Sequence, residues 1–218
     1  MMILVNASTN ELFLDGVIGA DWTGEGITTQ AVGEALAKVK GRATIRINSP
    51  GGSADEGMAI YNLLKRHPGG VDTHNEALAA SAASVIFLAG SKRTMERGSK
   101  LMIHRAHTIA IGNQSAMSKM AEVLSLYDND MARLYAEYGD MTIEDAMDLM
   151  DDETWFDAES AVANGLATDL APTVRKKTAT AAAWFKRPPQ DLFEEMAVER
   201  ATVETRLRHM ANKLRLVK

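Results

Sequence analysis

Short apolar runs alternate with helical patterns over the first 170 residues. Five runs have the length and composition of strands, at residues 12–18, 43–47, 71–75, 92–95 and 101–104. Helical patterns lie between them, one through Val32, Leu36 and Val39, and one that Ser53 caps and that ends at residues 67–70, His-Pro-Gly-Gly. Strands that alternate with helices covering a sheet predict an α/β fold, although this spacing alone does not exclude a doubly wound sheet.

The pattern becomes helical in the second half of the domain. Residues 107–112 resemble a short strand or hairpin arm, and a long helix is predicted over residues 114–138. Thr142 and Asp157 each cap a later short helix, the second of which stops at Gly165. The apolar positions of the long helix are separated by steps of three and four: Met117, Met120, Leu124, Tyr127, Met131, Leu134 and Tyr138. This heptad spacing favours an oligomer interface, and the alternative is an ordinary core-facing stripe.

One apolar segment, residues 76–90, is rich in small residues in its first half and in large ones in its second. It predicts a buried helix that begins near Ser81 and ends at Gly90. A serine at a helix N-terminus lies beside unpaired backbone N–H groups, which suits a nucleophile whose reaction develops an oxyanion. A plain N-cap serine would give the same pattern.

The composition changes after residue 170. Residues 171–218 contain 11 Lys and Arg against 5 Asp and Glu, a net charge of +6, so the rest of the chain carries −11 of the total of −5. We interpret residues 171–190 as a basic linker and residues 191–218 as a helical tail that forms a coiled coil or binds a partner. The apolar stripe of this tail consists of Leu192, Met196, Val203, Leu207, Met210 and Leu214. A solvated basic helix face is favoured over nucleic-acid binding.

Several classes of function are excluded by what the sequence does not contain. The chain has no cysteine, which rules out thiol nucleophiles and thiolate metal sites. Neither a signal peptide nor a membrane-spanning run is present, so we expect a cytoplasmic protein. No nucleotide-binding loop or metal-ligand spacing is found, and no cofactor or metal is therefore expected.

Together these motifs resemble the proteolytic subunit of the Clp protease, and most closely the shorter Clp-like proteases of phage head-gene clusters. The resemblance covers residues 11–170. It rests on Asn-Ser-Pro-Gly-Gly at 48–52, Ala-Ala-Ser at 79–81 with Gly90 nine residues later, Met-Ile-His at 102–104, and Ala-Val-Ala-Asn-Gly-Leu at 161–166. It implies the spiral of repeated ββα units shared with crotonases, in which the long helix is a handle that packs ring against ring.

The resemblance also implies a serine peptidase site. Ser81 is expected to be the nucleophile, with Ser84 one turn later as its rival. His104 is expected to be the base, and His107 is the rival.

Backbone N–H groups are expected to bind the oxyanion. Gly51, Gly52 and Ala82 are the expected donors, and Ala82 stands where the family usually has methionine. Ser53 and Ala54 are expected to bind substrate, which would lie extended and add a strand beside this turn.

The third catalytic residue is expected from its spacing. The family has an aspartate twelve residues before the glycine that is Gly165 here, and that position is Glu153. Asp152 is the second choice, and Asp151 is adjacent.

We therefore expect a serine endopeptidase that works inside a homo-oligomeric chamber without a cofactor. The favoured role is a phage head-maturation protease that cleaves scaffold and capsid proteins in the host cytoplasm or procapsid. The alternatives are a degradative subunit fed by a separate ATP-dependent unfoldase, a crotonase-like acyl-CoA enzyme, and a non-catalytic assembly protein. A membrane partner is not expected.

Overall fold

A mixed sheet forms the centre of the protein, whose computed structural model describes residues 2–20 and 25–172. Its strands in the described residues are β1 (Met2–Asn6), β2 (Glu11–Asp15), β3 (Ala43–Ser49), β4 (Val71–Ala80), β5 (Arg93–Met95), β6 (Lys100–Ile103), β7 (Thr154–Asp157) and β8 (Asp169–Leu170). The main order is β1-β2-β3-β4-β5-β8, and β6 joins β4 to β7. The β1–β2 and β6–β7 pairs are antiparallel, and the other pairs are parallel.

Helices cover the sheet. They are α1 (Thr29–Leu36), α2 (Ala54–Lys65), α3 (Ala82–Leu88), α4 (Gln114–Tyr138), α5 (Ile143–Asp151) and α6 (Ala158–Ala163). The predicted caps are present, because the side chains of Ser53, Thr142 and Asp157 accept hydrogen bonds from backbone N–H groups of the first turns. The predicted α/β fold is therefore confirmed.

The core lies between β2, β3 and β4 and the helices. Along β3, alternate side chains are buried, including Ile45 and Ile47, whereas Arg46 faces away from this core. Every residue of α3 is buried, since this short helix passes through the centre of the core. The helix that follows Ser81 is consequently held by packing on all sides, whereas Ser81 itself is half-buried.

Strand β4 runs five residues beyond the predicted strand at 71–75. Residues Leu78, Ala79 and Ala80 pair with β6, which keeps the chain extended up to Ser81. The predicted strand or hairpin arm at residues 107–112 is wrong. This segment makes no strand pairing with the described residues, and the side chains of Ile109 and Ile111 are 94% and 97% exposed.

Helix α4 has the predicted bounds, but its apolar stripe has two environments. In the C-terminal half, Met131 and Tyr135 are buried in the core of the same chain. In the N-terminal half, Met117 is exposed, and Met120 and Leu124 are half-buried. The assignment of the whole stripe to an oligomer interface is thus wrong for its second half, which packs as an ordinary core-facing stripe.

The predicted linker from residue 173 onward and the helical tail lie outside the described residues, so the division of the chain at residue 170 stays a prediction. Among the described helices, none is both long enough and apolar enough to cross a bilayer.

Candidate active site

Ser81 lies at the junction between β4 and α3. Its backbone has φ 54° and ψ −126°, a conformation that residues other than glycine seldom adopt and that costs about 1–3 kcal/mol. The Ser81 N–H donates to the carbonyl of Met102 at 2.9 Å, which fixes the turn against β6. Its hydroxyl makes no capping hydrogen bond to α3. The turn therefore presents the hydroxyl away from the helix and leaves it free for another partner.

That partner is His104, the first residue after β6. Its Nε2 lies 2.8 Å from Oγ of Ser81. Because β4 and β6 pair in parallel up to Ala80 and Met102, the residues that follow each strand emerge at the same edge of the sheet. The sequence prediction that Ser81 and His104 come together is thus consistent with the geometry.

The rival residues have other contacts. Ser84 is fully buried, and its Oγ bonds both the carbonyl of Ser81 at 2.6 Å and the hydroxyl of Tyr135 at 2.7 Å. His107 is exposed, and its ring meets the ring of His104 edge to face with centroids 5.1 Å apart. Within the part of the chain that the structure describes, His107 has no hydrogen bond to Ser81.

Burial lowers the pKa of His104 below its ordinary value, and the nearby His107 acts in the same direction. The carboxylates of Glu153 and Asp128 act in the opposite direction because they stabilise the imidazolium. An imidazole with a lowered pKa is neutral at pH 7, and its Nε2 can accept a proton from the serine hydroxyl.

Glu153 lies between α5 and β7. Its backbone has φ 48°, and its carboxylate accepts a hydrogen bond from the indole N–H of Trp155 at 3.3 Å. It is close enough to act electrostatically on His104. No hydrogen bond connects Glu153 or Asp152 to His104 in the described residues. The expected third catalytic residue is therefore near the histidine without being bonded to it.

Two residues that sequence reasoning missed hold the loop that carries His104. The guanidinium of Arg105 donates from Nε and Nη2 to Asp151 at 2.7 and 2.6 Å, and from Nη1 to Asp128 at 3.4 Å. The buried Asp128 also accepts the Ala106 N–H at 2.7 Å. These bonds link the loop to α4 and to the end of α5, close to Glu153. An arginine directly after the histidine was the one sequence signal for this network.

The glycine turn at residues 51 and 52 packs directly against Ser81. A Cβ atom on Gly51 would lie 2.6 Å from the carbonyl oxygen of Ala80 and from Cβ of Ser81, so only glycine fits there. The Gly51 N–H donates to the hydroxyl of Ser49 at 3.1 Å, so it is not available to an oxyanion.

The two other expected donors are available. For the N–H groups of Gly52 and Ala82, the described residues offer no hydrogen-bond acceptor. Position 82 begins α3, where an N–H group has no partner within the helix. Of the three expected oxyanion donors, the geometry thus supports Gly52 and Ala82.

Ser53 and Ala54 line a pocket of about 500 Å³ that opens on Ser81 and His104. The Ser53 N–H donates to the carbonyl of Ile18, and its own carbonyl accepts the Gly57 N–H. Both main-chain groups of Ser53 are thus used within the chain. The expectation that substrate adds a strand through the backbone of this residue does not fit this conformation, whereas a contact within the pocket does.

A second polar group lies on the sheet face that carries Arg46. One potential metal-ligand atom each of His74, Glu76 and Glu96 lies within 4.8 Å of the others, although the sequence showed no metal-ligand spacing. Arg46 forms an ion pair with Glu76, and His74 lies 3.0 Å from Glu96. Each of the three side chains therefore has a partner from the protein itself.

Comparison with known proteins agrees with this fold. The profile of the Clp protease family matches residues 10–173. The chain is similar to a ClpP1 mutant from Listeria monocytogenes, with a TM-score of 0.67 over 77% of this chain and 94% of that one, at 21% sequence identity. The structural likeness shows a Clp-type mixed α/β fold.

Curated relatives give the same result. The ATP-dependent Clp protease proteolytic subunit 1 of Corynebacterium jeikeium is 30% identical over 135 residues, which are 61% of this chain and 72% of the relative. Subunit 2 of Corynebacterium efficiens is 34% identical over 125 residues, 56% of this chain and 63% of the relative. The protein belongs to the Clp protease family.

Proposed function

We propose that this chain is a serine endopeptidase in which Ser81 is the nucleophile and His104 the general base. The observation that carries the proposal is the 2.8 Å contact between Oγ of Ser81 and Nε2 of His104. In the reaction, Oγ attacks the scissile carbonyl while Nε2 takes its proton, and the imidazolium then gives that proton to the leaving amine. A water molecule then attacks the acyl group on Ser81 while His104 takes its proton, and the acyl group is released as a carboxylic acid.

Gly52 and Ala82 are the proposed oxyanion donors. Both residues line the same pocket as Ser81, and a preorganised pair of donors stabilises the negative charge that develops on the carbonyl oxygen. The close contact of Gly51 with Ser81 keeps the turn and the nucleophile at a fixed separation. This role for Gly51 is positional, since its own N–H binds Ser49.

Glu153 is the proposed third member. Its charge raises the pKa of His104, which is the effect expected of a carboxylate that stabilises the imidazolium. Its present partner is the exposed indole of Trp155, at 3.3 Å. A catalytic hydrogen bond from His104 would require this side chain to move, and such bonds often tighten only when substrate binds.

We also propose that the chain acts as a homo-oligomer, through the N-terminal half of α4. Met117 and Val123 are 37% and 42% exposed there, and the fully exposed Ile109 and Ile111 precede the helix. Monomers tend to avoid such clusters of exposed apolar side chains. A second copy of this surface would cover them.

For the biological role, we propose the processing of phage scaffold and capsid proteins in the procapsid. The basic balance of residues 171–218 supports this choice, because it provides a contact for acidic assembly partners. A degradative subunit that receives substrate from a separate ATP-dependent unfoldase is the alternative. Recovery of the protein in purified procapsids supports the first role, and stimulation of protein cleavage by an unfoldase and ATP supports the second.

The test of the chemical proposal is labelling with a fluorophosphonate probe, followed by mass-spectrometric mapping of the modified residue. Modification of Ser81 alone, together with cleavage of casein, is the expected result. A crotonase-like acyl-CoA enzyme or a non-catalytic assembly protein would not be labelled at Ser81, and either outcome would overturn the proposal. The serine–histidine pair favours the peptidase, since enolate chemistry on this fold needs only the oxyanion site.

A further inference from the structure

The pocket beside Ser81 is large enough to receive a large substrate side chain. It encloses about 500 Å³, within the range of pockets that bury small ligands. Its lining comes from α2, from the start of α3, from the segment after β6 and from α4. Because it opens on both Ser81 and His104, it can receive the side chain of the residue whose carbonyl is attacked.

Part of the wall of this pocket is apolar. Met58 and Ala59 contribute from α2, Val85 from α3 and Met131 from α4. Val85 and Met131 are buried, at 2% and 8% exposure, so these walls are part of the rigid core. Such walls pack against methylene groups.

Two carboxylates, Asp55 and Asp130, also line the pocket. Both are exposed, and within the described residues neither forms an ion pair with a cation of the chain. One oxygen of Asp55 accepts the Tyr127 hydroxyl at 2.6 Å, which holds this carboxylate in place and leaves its second oxygen for another donor. Asn62, which also lines the pocket, offers an amide oxygen nearby.

The lining also contains the guanidinium of Arg105, but this group forms ion pairs with two carboxylates other than Asp55 and Asp130. All three nitrogens of Arg105 that form hydrogen bonds are directed at Asp151 and Asp128. Among the described residues, no ion pair therefore offsets the charges of Asp55 and Asp130, which lie next to the apolar part of the wall.

We propose that this pocket accepts a lysine or arginine side chain, so that the peptidase cleaves after basic residues. This inference rests on the proposed endopeptidase activity. A lysine or arginine places its aliphatic stem along apolar surface and keeps its charged end in contact with solvent and acceptors. The apolar walls match that stem, and Asp55 and Asp130 match the cation. A neutral aliphatic side chain would gain only the first contact, and a glutamate would be repelled.

The expected preference is moderate because both carboxylates are exposed to solvent. Exposed ion pairs each contribute up to about 1 kcal/mol, so two of them correspond to a preference of roughly 5–20-fold over a neutral side chain of the same length. The preference should also fall as salt is added, because exposed charges are screened.

The experiment compares fluorogenic peptides that differ only in the residue before the scissile bond: lysine, arginine, norleucine or glutamate. Norleucine is the matched control, since it has the lysine stem without the charge. Wild type, Asp55→Asn, Asp130→Asn and the double variant are measured as full chains at low and high salt. Glu34→Gln removes one negative charge on α1, outside the pocket, and controls for net charge.

We expect kcat/KM for lysine and arginine to exceed that for norleucine by about 5–20-fold in wild type and in Glu34→Gln. In the double variant, the lysine and norleucine peptides should be cleaved at similar rates. Equal rates in wild type, or a basic preference that survives in the double variant, would overturn the specificity while the norleucine rate and the Ser81 label still supported the peptidase. Loss of both the label and all cleavage would overturn the peptidase and the specificity together.

Discussion

Nε2 of His104 lies 2.8 Å from Oγ of Ser81, although the two residues are 23 positions apart in the chain. The parallel pairing of β4 with β6 produces this contact, since Ser81 follows Ala80 and His104 lies two residues after Met102, the partner of Ala80 in the pairing. Sheet register therefore brings Ser81 and His104 together, and the Arg105–Asp128 contact holds the segment that follows His104. Changes at the pair should therefore alter chemistry more than folding.

Replacement of the nucleophile gives the first prediction. Ser81→Ala should lower kcat by at least about 10³-fold, since one member of a serine triad accounts for most of its effect. Ser84→Ala is the matched control three residues later. It should lose about 1–3 kcal/mol of stability, because Ser84 makes two buried hydrogen bonds, and it should retain the fluorophosphonate label. Wild-type activity in Ser81→Ala would show that another residue is the nucleophile.

The pH profile gives the second prediction. The base must be neutral to accept a proton, and burial lowers the pKa of His104. The acid limb of kcat/KM should therefore have its midpoint below about 6.5, the ordinary value for histidine. His107→Asn should move this midpoint to higher pH, because the charge of His107 lowers the pKa of His104. A rate that stays constant from pH 5 to pH 8 in every variant would be inconsistent with a histidine base whose pKa lies in that range.

The acidic residue gives the third prediction. Glu153→Gln should lower kcat on the order of 10²-fold or more, whereas Asp152→Asn should change it little. Because the Glu153 charge raises the pKa of His104, the acid limb of the Glu153→Gln variant should also move to lower pH. Steady-state kinetics between pH 5 and pH 9 measure both effects. A larger loss of kcat in Asp152→Asn than in Glu153→Gln would assign the role of third catalytic residue to Asp152.

The glycine turn gives the fourth prediction. In Gly51→Ala, the new methyl group would lie 2.6 Å from Cβ of Ser81 and from the Ala80 carbonyl oxygen. Either the turn or the nucleophile must move, and peptidase activity should be lost. Gly41→Ala is the control, because Gly41 also has a positive φ, of 84°, but has no atom within 4 Å of an added Cβ. Its expected effect is about 1–2 kcal/mol of stability from the left-handed backbone, with activity intact.

The sequence predicted the described helices and five of the eight described strands because each depends on a local pattern. The helix over residues 114–138 and the caps at Ser53 and Thr142 follow from periodicity and cap chemistry. Ser81 and His104 follow from motifs that lie within a few residues of each strand end.

Features that depend on contacts between distant segments could not be predicted in this way. The N–H of Gly51 donates to the hydroxyl of Ser49, and β4 extends to Ala80 because it pairs there with β6 and with the end of β3. The network of Arg105 with Asp128 joins residues that are far apart in the chain. The apolar stripe of α4 is another example. Its heptad spacing is the same throughout, but the second half packs in the core and the first half lies at the surface.

Assembly gives the last prediction. Charging the half-buried positions of the α4 surface, Met120→Glu with Leu124→Glu, should reduce the oligomer to smaller species and lower activity, because two carboxylates would face a second copy of an apolar surface. Ser118→Glu with Ser125→Glu adds the same charge to exposed positions of the same helix, about a quarter turn or more away from the stripe. Met131 is unsuitable for this test because it is buried in the core, where a charge would unfold the chain. Light scattering gives the mass of each variant, and circular dichroism checks that the helices are retained. A wild-type mass for the charged stripe would place the assembly surface elsewhere, and a smaller mass for the serine variant would show that charge alone prevents association.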